Sequence, residues 1–461
     1  MLYIVKCNSI LRRKILENQL HEAGADSRRY LAMAKEQALQ AWPAAARQPI
    51  ASAGVIGAGT MGTGIAIALS RAGIATTLVD SDQQALDRAR ERIETDTANA
   101  VTKRRMAPTD AAAALDRLDY RRSIADLPAI DLAIEAAFER LTVKQAIMRE
   151  LDAHCPPSTI LGTNTSTLDL DRIADATRRP HSVVGLHFFS PAHVMPLIEI
   201  VRGANTDAAM IASAVDLAER LGKTGIVVGN CYGFAGNRMV EGLGREVNRL
   251  LLEGNEPAAI DAALRDFGMA MGPLEVADLV GIDVPYQARQ ENSQAMPGDR
   301  AYYRMADALV ERAWFGQKSG RGYYRYTPGV RGGQPDPEVM DIASAEAARL
   351  GIARHIATPA DIVDRCILPI INEGARILDE GIASRASDLD LIYTLGYGFP
   401  AALGGPMHYA DTLGLVDVLA RLRKWHATFG DYWRPAALIE RLAATNGSFA
   451  TRDRESAIGQ P

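Results

Sequence analysis

Ala53-Gly54-Val55-Ile56-Gly57-Ala58-Gly59-Thr60-Met61-Gly62 is the stretch on which the fold turns. An apolar run ends at a glycine turn of the form G-x-G-x-x-G, and a helical pattern follows at once, to Ala72. Ala75 to Val79 then reads as a second strand, closed by Asp80. Strand, glycine turn, helix and strand make a βαβ unit. The glycine pattern is weak alone, but this context gives each glycine a task. Gly57 allows the tight turn, Gly59 lets the backbone approach a pyrophosphate, and Gly62 lets the helix pack closely on the strand. The helix N-terminus at Thr60 and Met61 offers N–H groups and a positive dipole end to phosphates. Asp80, 23 residues beyond Gly57, is placed to accept ribose hydroxyls and would repel a 2′-phosphate, which favours NAD over NADP. FAD and a ligand-free turn are the competing readings.

Outward from this unit the alternation continues. A helix is expected over 82–105, a strand over Leu132–Glu135, a helix over 142–153, and strands over Thr159–Gly162, Val183–Leu186 and Leu197–Val201. A helix over 207–221 and a strand over Thr224–Val228 complete the series. Beyond Gly229 the texture becomes helical, over 235–330 and 360–445. The two helical stretches repeat each other. Glu246 to Gly254 parallels Glu373 to Gly381, and Gly272-Pro273, Asp278 and Gly281 parallel Gly405-Pro406, Asp411 and Gly414, with an offset drifting only from 127 to 133. A tandem duplication follows, whose copies are expected to pack face to face as a pseudo-dimer. The expected fold is an α/β Rossmann-type doubly wound sheet followed by two tandem all-α domains. The boundaries expected are a helical leader at 1–49, a dinucleotide domain at 50–230, helical repeats at 231–330 and 360–461, and a linker at 331–359.

Composition narrows the classes. The chain has 461 residues, 48% hydrophobic and 23% charged, with a formal net charge of −5. That is ordinary globular composition and argues against nucleic acid as a partner. The four cysteines stand at 7, 155, 231 and 366, with neither C-x-x-C nor metal-ligand spacing, so no metal is expected and reduced thiols in a cytoplasmic protein are the simplest reading. No apolar run nears the roughly 18 residues of a membrane span. Met1 to Lys14 carries four basic residues before the first acid, Glu17, but has no continuous apolar segment, so a linker or helix is expected there rather than a targeting peptide.

The chemistry concentrates in Gly185-Leu186-His187-Phe188-Phe189-Ser190-Pro191-Ala192-His193-Val194-Met195-Pro196-Leu197-Ile198-Glu199. His187 is expected just past a strand, where open α/β sheets bind their ligands. Glu199 lies inside an apolar strand and needs a partner there. A His–Glu pair supplies one and leaves the second ring nitrogen for substrate. A purely structural histidine is the alternative. His193, bracketed by prolines, reads as a loop residue with no fixed partner. Two polar positions are candidates to complete the site. Ser166 follows the strand at 159–162, with an N-cap near Asp169 as its other reading. Asn237 follows the last strand, with a helix cap as its other reading.

These residues bring the chain to a known pattern. VIGAGTMGTGIA, IEAAFERLTVK, TNTSTL, GLHFFSPAHVMPLIEI, GFAGNR, GQKSGRGYY and GYGFPAALGGPMHYAD resemble the L-3-hydroxyacyl-CoA dehydrogenase family over about residues 50–450, above all the dehydrogenase half of multifunctional β-oxidation enzymes of the peroxisomal bifunctional type. The resemblance implies that His187 is the general base, Glu199 its carboxylate partner, Ser166 and Asn237 substrate contacts, and Asp80 the ribose-binding acid. It places Glu139 and Lys144 near the nicotinamide end of NAD. The chain departs from the pattern at Ser190, where many single-function members have Asn. It also has only about 50 residues where the multifunctional enzymes carry a hydratase/isomerase domain, so no hydratase activity is expected. The leader at 17–48 resembles the helix that links the two halves, and the terminal Gly459-Gln460-Pro461 is not a peroxisomal address.

The implied reaction is NAD-dependent oxidation of (3S)-3-hydroxyacyl-CoA. Lys103, with Arg104 and Arg105, is a candidate for the CoA phosphates, and a solvated basic helix end is equally expected there. The rival functions are a dehydrogenase of another small hydroxy acid and a non-catalytic subunit of a β-oxidation complex. Expected partners are the acyl-CoA substrate and a separate hydratase or thiolase. Either a monomer built on the internal pseudo-dimer or a homodimer is compatible with the duplication.

Overall fold

The structure, a computed structural model, describes residues 24–42, 47–291 and 299–458. The segment at 1–14, the start of the leader at 17–23 and the terminal 459–461 lie outside the described residues, while 24–40 of the leader is helical. The chain forms two compact units. One comprises Ala34–Asn237 and Gly381–Ser384. The described residues 24–33, 238–291, 299–380 and 385–458 form the other.

The first unit is built on an eight-stranded sheet of order β3-β2-β1-β4-β5-β6-β7-β8. The strands are β1 (Ser52–Ile56), β2 (Ala75–Val79), β3 (Leu118–Arg121), β4 (Leu132–Glu135), β5 (Ile160–Thr163), β6 (Val183–Phe188), β7 (Leu197–Arg202) and β8 (Thr224–Gly229). Successive strands step outward on one side of β1 and then on the other, so the order reverses between β1 and β4. That is the switch point at which such sheets form a ligand crevice. The central strands are continuous apolar runs because helices cover both faces. Val55, Leu78, Leu132, Ile134, Val184, Leu186, Ile198 and Ile200 form the sheet's share of the core, with Ile65 and Leu69 from the helix Thr60–Arg71.

Three features depart from the sequence reading. β3 was not anticipated: Leu-Asp-Tyr-Arg has no apolar run, and its half-exposed residues suit an edge. β6 extends two residues beyond Leu186, so His187 lies within the strand rather than past it. The third concerns the route to Asn237, which was expected directly after the last strand. β6 and β7 are antiparallel, and β8 follows β7. β8 therefore ends at the edge of the sheet opposite the glycine turn, and Asn237 does not follow it directly into the site. The segment 230–235 first carries the chain back.

In the second unit both repeats pack into one body, and their contacts obey a pseudo-twofold rule. Arg238 bonds Glu373 and Glu380 at 2.7 and 2.6 Å. Adding 127 to Arg238 and subtracting it from the two acids gives Arg365, Glu246 and Glu253, which pair at 2.7 and 2.6 Å. Such reciprocity is the signature of an isologous interface. The repeated glycines have a steric cause. Asp261 accepts the N–H groups of Leu274 and Glu275, capping the helix Pro273–Val280, and a Cβ on Gly272 would lie 2.2 Å from its carboxyl carbon. Asp390 does the same for Met407 and His408 beside Gly405. Tyr324 donates to Asp261 at 2.7 Å, whereas Asp390 takes the equivalent bond from Tyr30 of the leader, also at 2.7 Å.

Candidate active site

Every element of the candidate site reaches one edge of the sheet, because parallel β1, β4, β5 and β6 end there and antiparallel β7 begins there. After β1 the chain turns at Gly57 with φ +109°, where a Cβ would stand 2.8 Å from the Ala136 carbonyl oxygen. A Cβ on Gly62 would fall 1.8 Å from the Gly57 oxygen, so these two glycines are required by packing alone. Gly59 differs: its Cβ would meet nothing within 4 Å. It is exposed beside exposed Thr60 and half-buried Met61, and no side chain caps the helix they open. A bare helix N-terminus facing open space fits a pyrophosphate. Asp80 binds the same turn, accepting the Ala58 N–H at 2.8 Å and the Asp82 N–H at 3.0 Å. The residues present thus fit a dinucleotide.

His187 and Glu199 are direct partners in the antiparallel register of β6 and β7. Residues opposite each other share a face of the sheet, which is why a twelve-residue separation in sequence becomes contact. His187 Nδ1 lies 2.8 Å from Glu199 Oε2, with the two residues 6% and 0% exposed. Glu199 accepts a second bond at Oε1, from the Gly236 N–H at 3.0 Å. Asn237, the next residue, donates from Nδ2 to the Ser166 carbonyl at 3.1 Å. The structure therefore brings together His187, Glu199, Ser166 and Asn237. Ser166 is not the helix cap; Asp169 is.

Glu139 organises the turn that carries Ser166. Its Oε1 accepts the Thr165 hydroxyl and the Ser166 N–H, both at 2.7 Å, the Thr167 N–H at 3.1 Å and the Ser166 hydroxyl at 3.2 Å. Burial pushes this carboxyl up, but the charge of Lys144 and these hydrogen bonds outweigh burial and hold it below its ordinary value. Lys144 sits 3.2 Å from Glu139 Oε2 and 2.9 Å from Glu135 Oε2, itself 1% exposed.

Other expectations need correction or addition. His193 has a partner, Asp96 at 3.4 Å, and burial lowers its pKa. Lys223 pins the same loop by donating to the Met195 carbonyl at 2.5 Å. Lys103 is exposed at the end of the helix Gln83–Thr102, seven residues or roughly 10 Å along it from Asp96. The sequence reading passed over Glu135, Thr163 and Asn164. Asn164 accepts the Phe188 N–H at 2.9 Å, beside His187. A signal for Glu135 was present: like Glu199, it is a carboxylate inside an apolar strand. Among the described residues, no group of His, Cys, Asp or Glu is arranged to hold a metal ion, and no helix is long and apolar enough to cross a membrane. Cys155 and Cys366 are free thiols.

One sheet edge thus brings together a G-x-G-x-x-G turn opening a helix, an acid bonded to that turn and a buried imidazole–carboxylate pair. Residues 52–231 match the NAD binding domain of 3-hydroxyacyl-CoA dehydrogenase, and 233–326 and 362–452 each match its C-terminal domain. The chain belongs to the 3-hydroxyacyl-CoA dehydrogenase family. It is 41% identical over 417 residues to the peroxisomal bifunctional enzyme of Danio rerio, an alignment covering 87% of this chain and 57% of that protein. The crystal structure of 3-hydroxybutyryl-CoA dehydrogenase from Escherichia coli superposes with a TM-score of 0.75 at 29% identity, covering 87% of this chain and 99% of that one. The dehydrogenase part of multifunctional enzyme 1 from C. elegans gives 0.62 at 30% identity, covering 86% and 90%. The chain spans 57 to 64% of the length of the curated bifunctional relatives it matches.

Proposed function

We propose that this protein catalyses reversible, NAD-dependent oxidation of (3S)-3-hydroxyacyl-CoA thioesters to 3-ketoacyl-CoA in fatty-acid β-oxidation. The observation that carries the reading is the 2.8 Å contact between buried His187 and Glu199 at the edge that bears the glycine turn. A carboxylate only accepts hydrogen bonds, so Nδ1 of His187 carries the proton and Nε2 keeps its lone pair. Nε2 takes the proton of the substrate hydroxyl at C3. Glu199, steadied by the Gly236 N–H, stabilises the imidazolium that forms. Ser166 and Asn237 orient the substrate oxygen. When bound, NAD supplies the hydride acceptor. In the ketone-reducing direction His187 returns the proton.

Gly57, Gly59, Thr60, Met61, Gly62 and Asp80 hold the adenosine and pyrophosphate portions in this reading. Glu139 and Lys144 line the nicotinamide end, and Lys103 meets the CoA phosphates. General acid–base catalysis contributes about 10²–10⁴-fold, so His187→Ala should lower NADH oxidation with acetoacetyl-CoA at least about a hundredfold while circular dichroism stays unchanged. Near-normal turnover in that variant would remove the assignment.

The second helical repeat, reciprocally paired with the first, supports a monomer in which one chain supplies both halves of a dimer-like interface. Light scattering tests this, and a stable dimer contradicts it. Relatives named bifunctional or multifunctional join further activity to this module, which supports association with a separate hydratase or thiolase. A cytoplasmic location belongs to the same proposal and is checked by imaging a tagged chain, since the Danio rerio relative is named a peroxisomal enzyme.

A further inference from the structure

The hydrogen bonds around the site form one connected chain, and its far end is a residue that touches neither substrate nor cofactor in the reading above. Glu135 closes β4 and is 0% exposed. Its Oε1 accepts the Ala137 N–H at 2.8 Å and Lys144 Nζ at 3.0 Å, and its Oε2 accepts Lys144 Nζ at 2.9 Å and the Thr163 hydroxyl at 2.6 Å. Lys144 continues to Glu139, and Glu139 gathers Thr165, Ser166 and Thr167. The Ser166 carbonyl then takes the Asn237 amide, next to the Gly236 N–H that steadies Glu199. The Glu135 main chain joins the other side of the site: its carbonyl accepts the Asn164 N–H at 2.8 Å, and Asn164 accepts the N–H of Phe188.

We propose that Glu135 is a positioning residue for catalysis: by holding Lys144 in a two-oxygen grip, it sets how far Glu139 reaches and so where the Thr165–Thr167 turn presents Ser166. The inference rests on the reading that Ser166 contacts substrate. Lys144 stands between two carboxylates and is itself buried. With Glu135 present, the ammonium is shared, and Glu139 keeps one oxygen for the turn. Without that charge, Lys144 draws Glu139 toward itself, and the amides and hydroxyls of the turn lose their common acceptor. A buried pair with only a stabilising role would alter the melting temperature and leave the geometry of Ser166 alone.

Glu135→Gln preserves shape and removes the charge. Misplacing a reacting group by about an ångström costs on the order of a hundredfold, so kcat with NADH and acetoacetyl-CoA should fall roughly 10- to 100-fold. In the cofactor-free protein, the Ser166 and Thr167 amides should exchange hydrogen faster while those of β1 do not. Thr163→Val, which removes one hydroxyl and no charge, should shift both readouts the same way by a smaller factor, and it carries the test if Glu135→Gln does not fold. In a Ser166→Ala background, Glu135→Gln should cost little more, because its effect passes through Ser166. A folded Glu135→Gln protein with normal kcat, unchanged exchange at 166–167, or an undiminished effect on top of Ser166→Ala would each overturn the proposal. If the wild-type chain does not turn over acetoacetyl-CoA, the functional reading falls instead, and the exchange measurement still decides whether Glu135 governs the turn.

Discussion

Glu199→Gln is the sharpest test of the catalytic pair. The 2.8 Å contact between His187 Nδ1 and Glu199 Oε2 places the centres of the two charges about 4 Å apart once the imidazole is protonated. At an effective dielectric constant of about 20, that attraction is about 4 kcal/mol. With proton transfer half complete in the transition state, about 2 kcal/mol is lost, or roughly 30-fold in rate. Hydrogen bonding adds to this. Glu199 accepts from His187 at one oxygen and from the Gly236 N–H at the other, and glutamine has only one accepting atom. If its NH2 group faces His187, the imidazole must move its proton to Nε2, which is the wrong tautomer for a base. If the NH2 group faces Gly236, a buried N–H is left without an acceptor, at about 1–3 kcal/mol. The expected loss in kcat is therefore about 10²–10³-fold, read from NADH absorbance with acetoacetyl-CoA, with KM for NADH changed little. A folded variant within about threefold of wild type would refute the electrostatic role given to Glu199.

Other outcomes follow from the same geometry. Gly59→Ala should fold normally, because its Cβ meets nothing within 4 Å, but should weaken NADH binding in a fluorescence titration. Gly62→Ala, whose Cβ would stand 1.8 Å from the Gly57 oxygen, should lose at least about 2 kcal/mol of stability in urea. Arg365→Met leaves Glu246 and Glu253 buried without their cation and should cost about 3–5 kcal/mol. Its symmetry mate Arg238→Met, at the more exposed copy of the cluster, should cost about 1 kcal/mol or less. Burial raises Asp261 from 3.8 to about 6, against the opposing Tyr324 hydroxyl and Leu274 amide. The folded state thus holds this proton more tightly than the unfolded state. Stability from this group is greatest below about pH 4, declines as pH climbs toward 6 and is level above, a change of about 3 kcal/mol. Thermal melts from pH 4.5 to 7 should accordingly show a flatter pH slope for Asp261→Asn than for wild type.

Local signals in the chain proved sufficient where the physics is local. The glycine turn could be read residue by residue, because φ at Gly57 and the approach of Gly62 depend on atoms within a few residues of each other. The carboxylate at Glu199 declared a need for a partner simply by lying in an apolar run. The duplication was visible in Gly272-Pro273 and Gly405-Pro406, although the cause, the capping carboxylates of Asp261 and Asp390, was not. β3 escaped notice because an edge strand buries too little to require an apolar pattern. Glu135 lies in an apolar run just as Glu199 does, yet of the Glu135–Lys144–Glu139 cluster only Lys144 and Glu139 were legible, and those through resemblance.

The order of residues alone determined that a dinucleotide turn, a histidine, a buried acid and two matched helical halves exist in this chain. Tertiary structure decided that β6 and β7 run in opposite directions, which makes His187 and Glu199 opposite neighbours. It also decided that the chain doubles back to bring Asn237 to Ser166, and that Tyr30 does for Asp390 what Tyr324 does for Asp261. Backbone torsion and side-chain polarity are properties of short segments, whereas strand direction, register and the choice of a hydrogen-bond partner hundreds of residues away are settled only when the whole core closes.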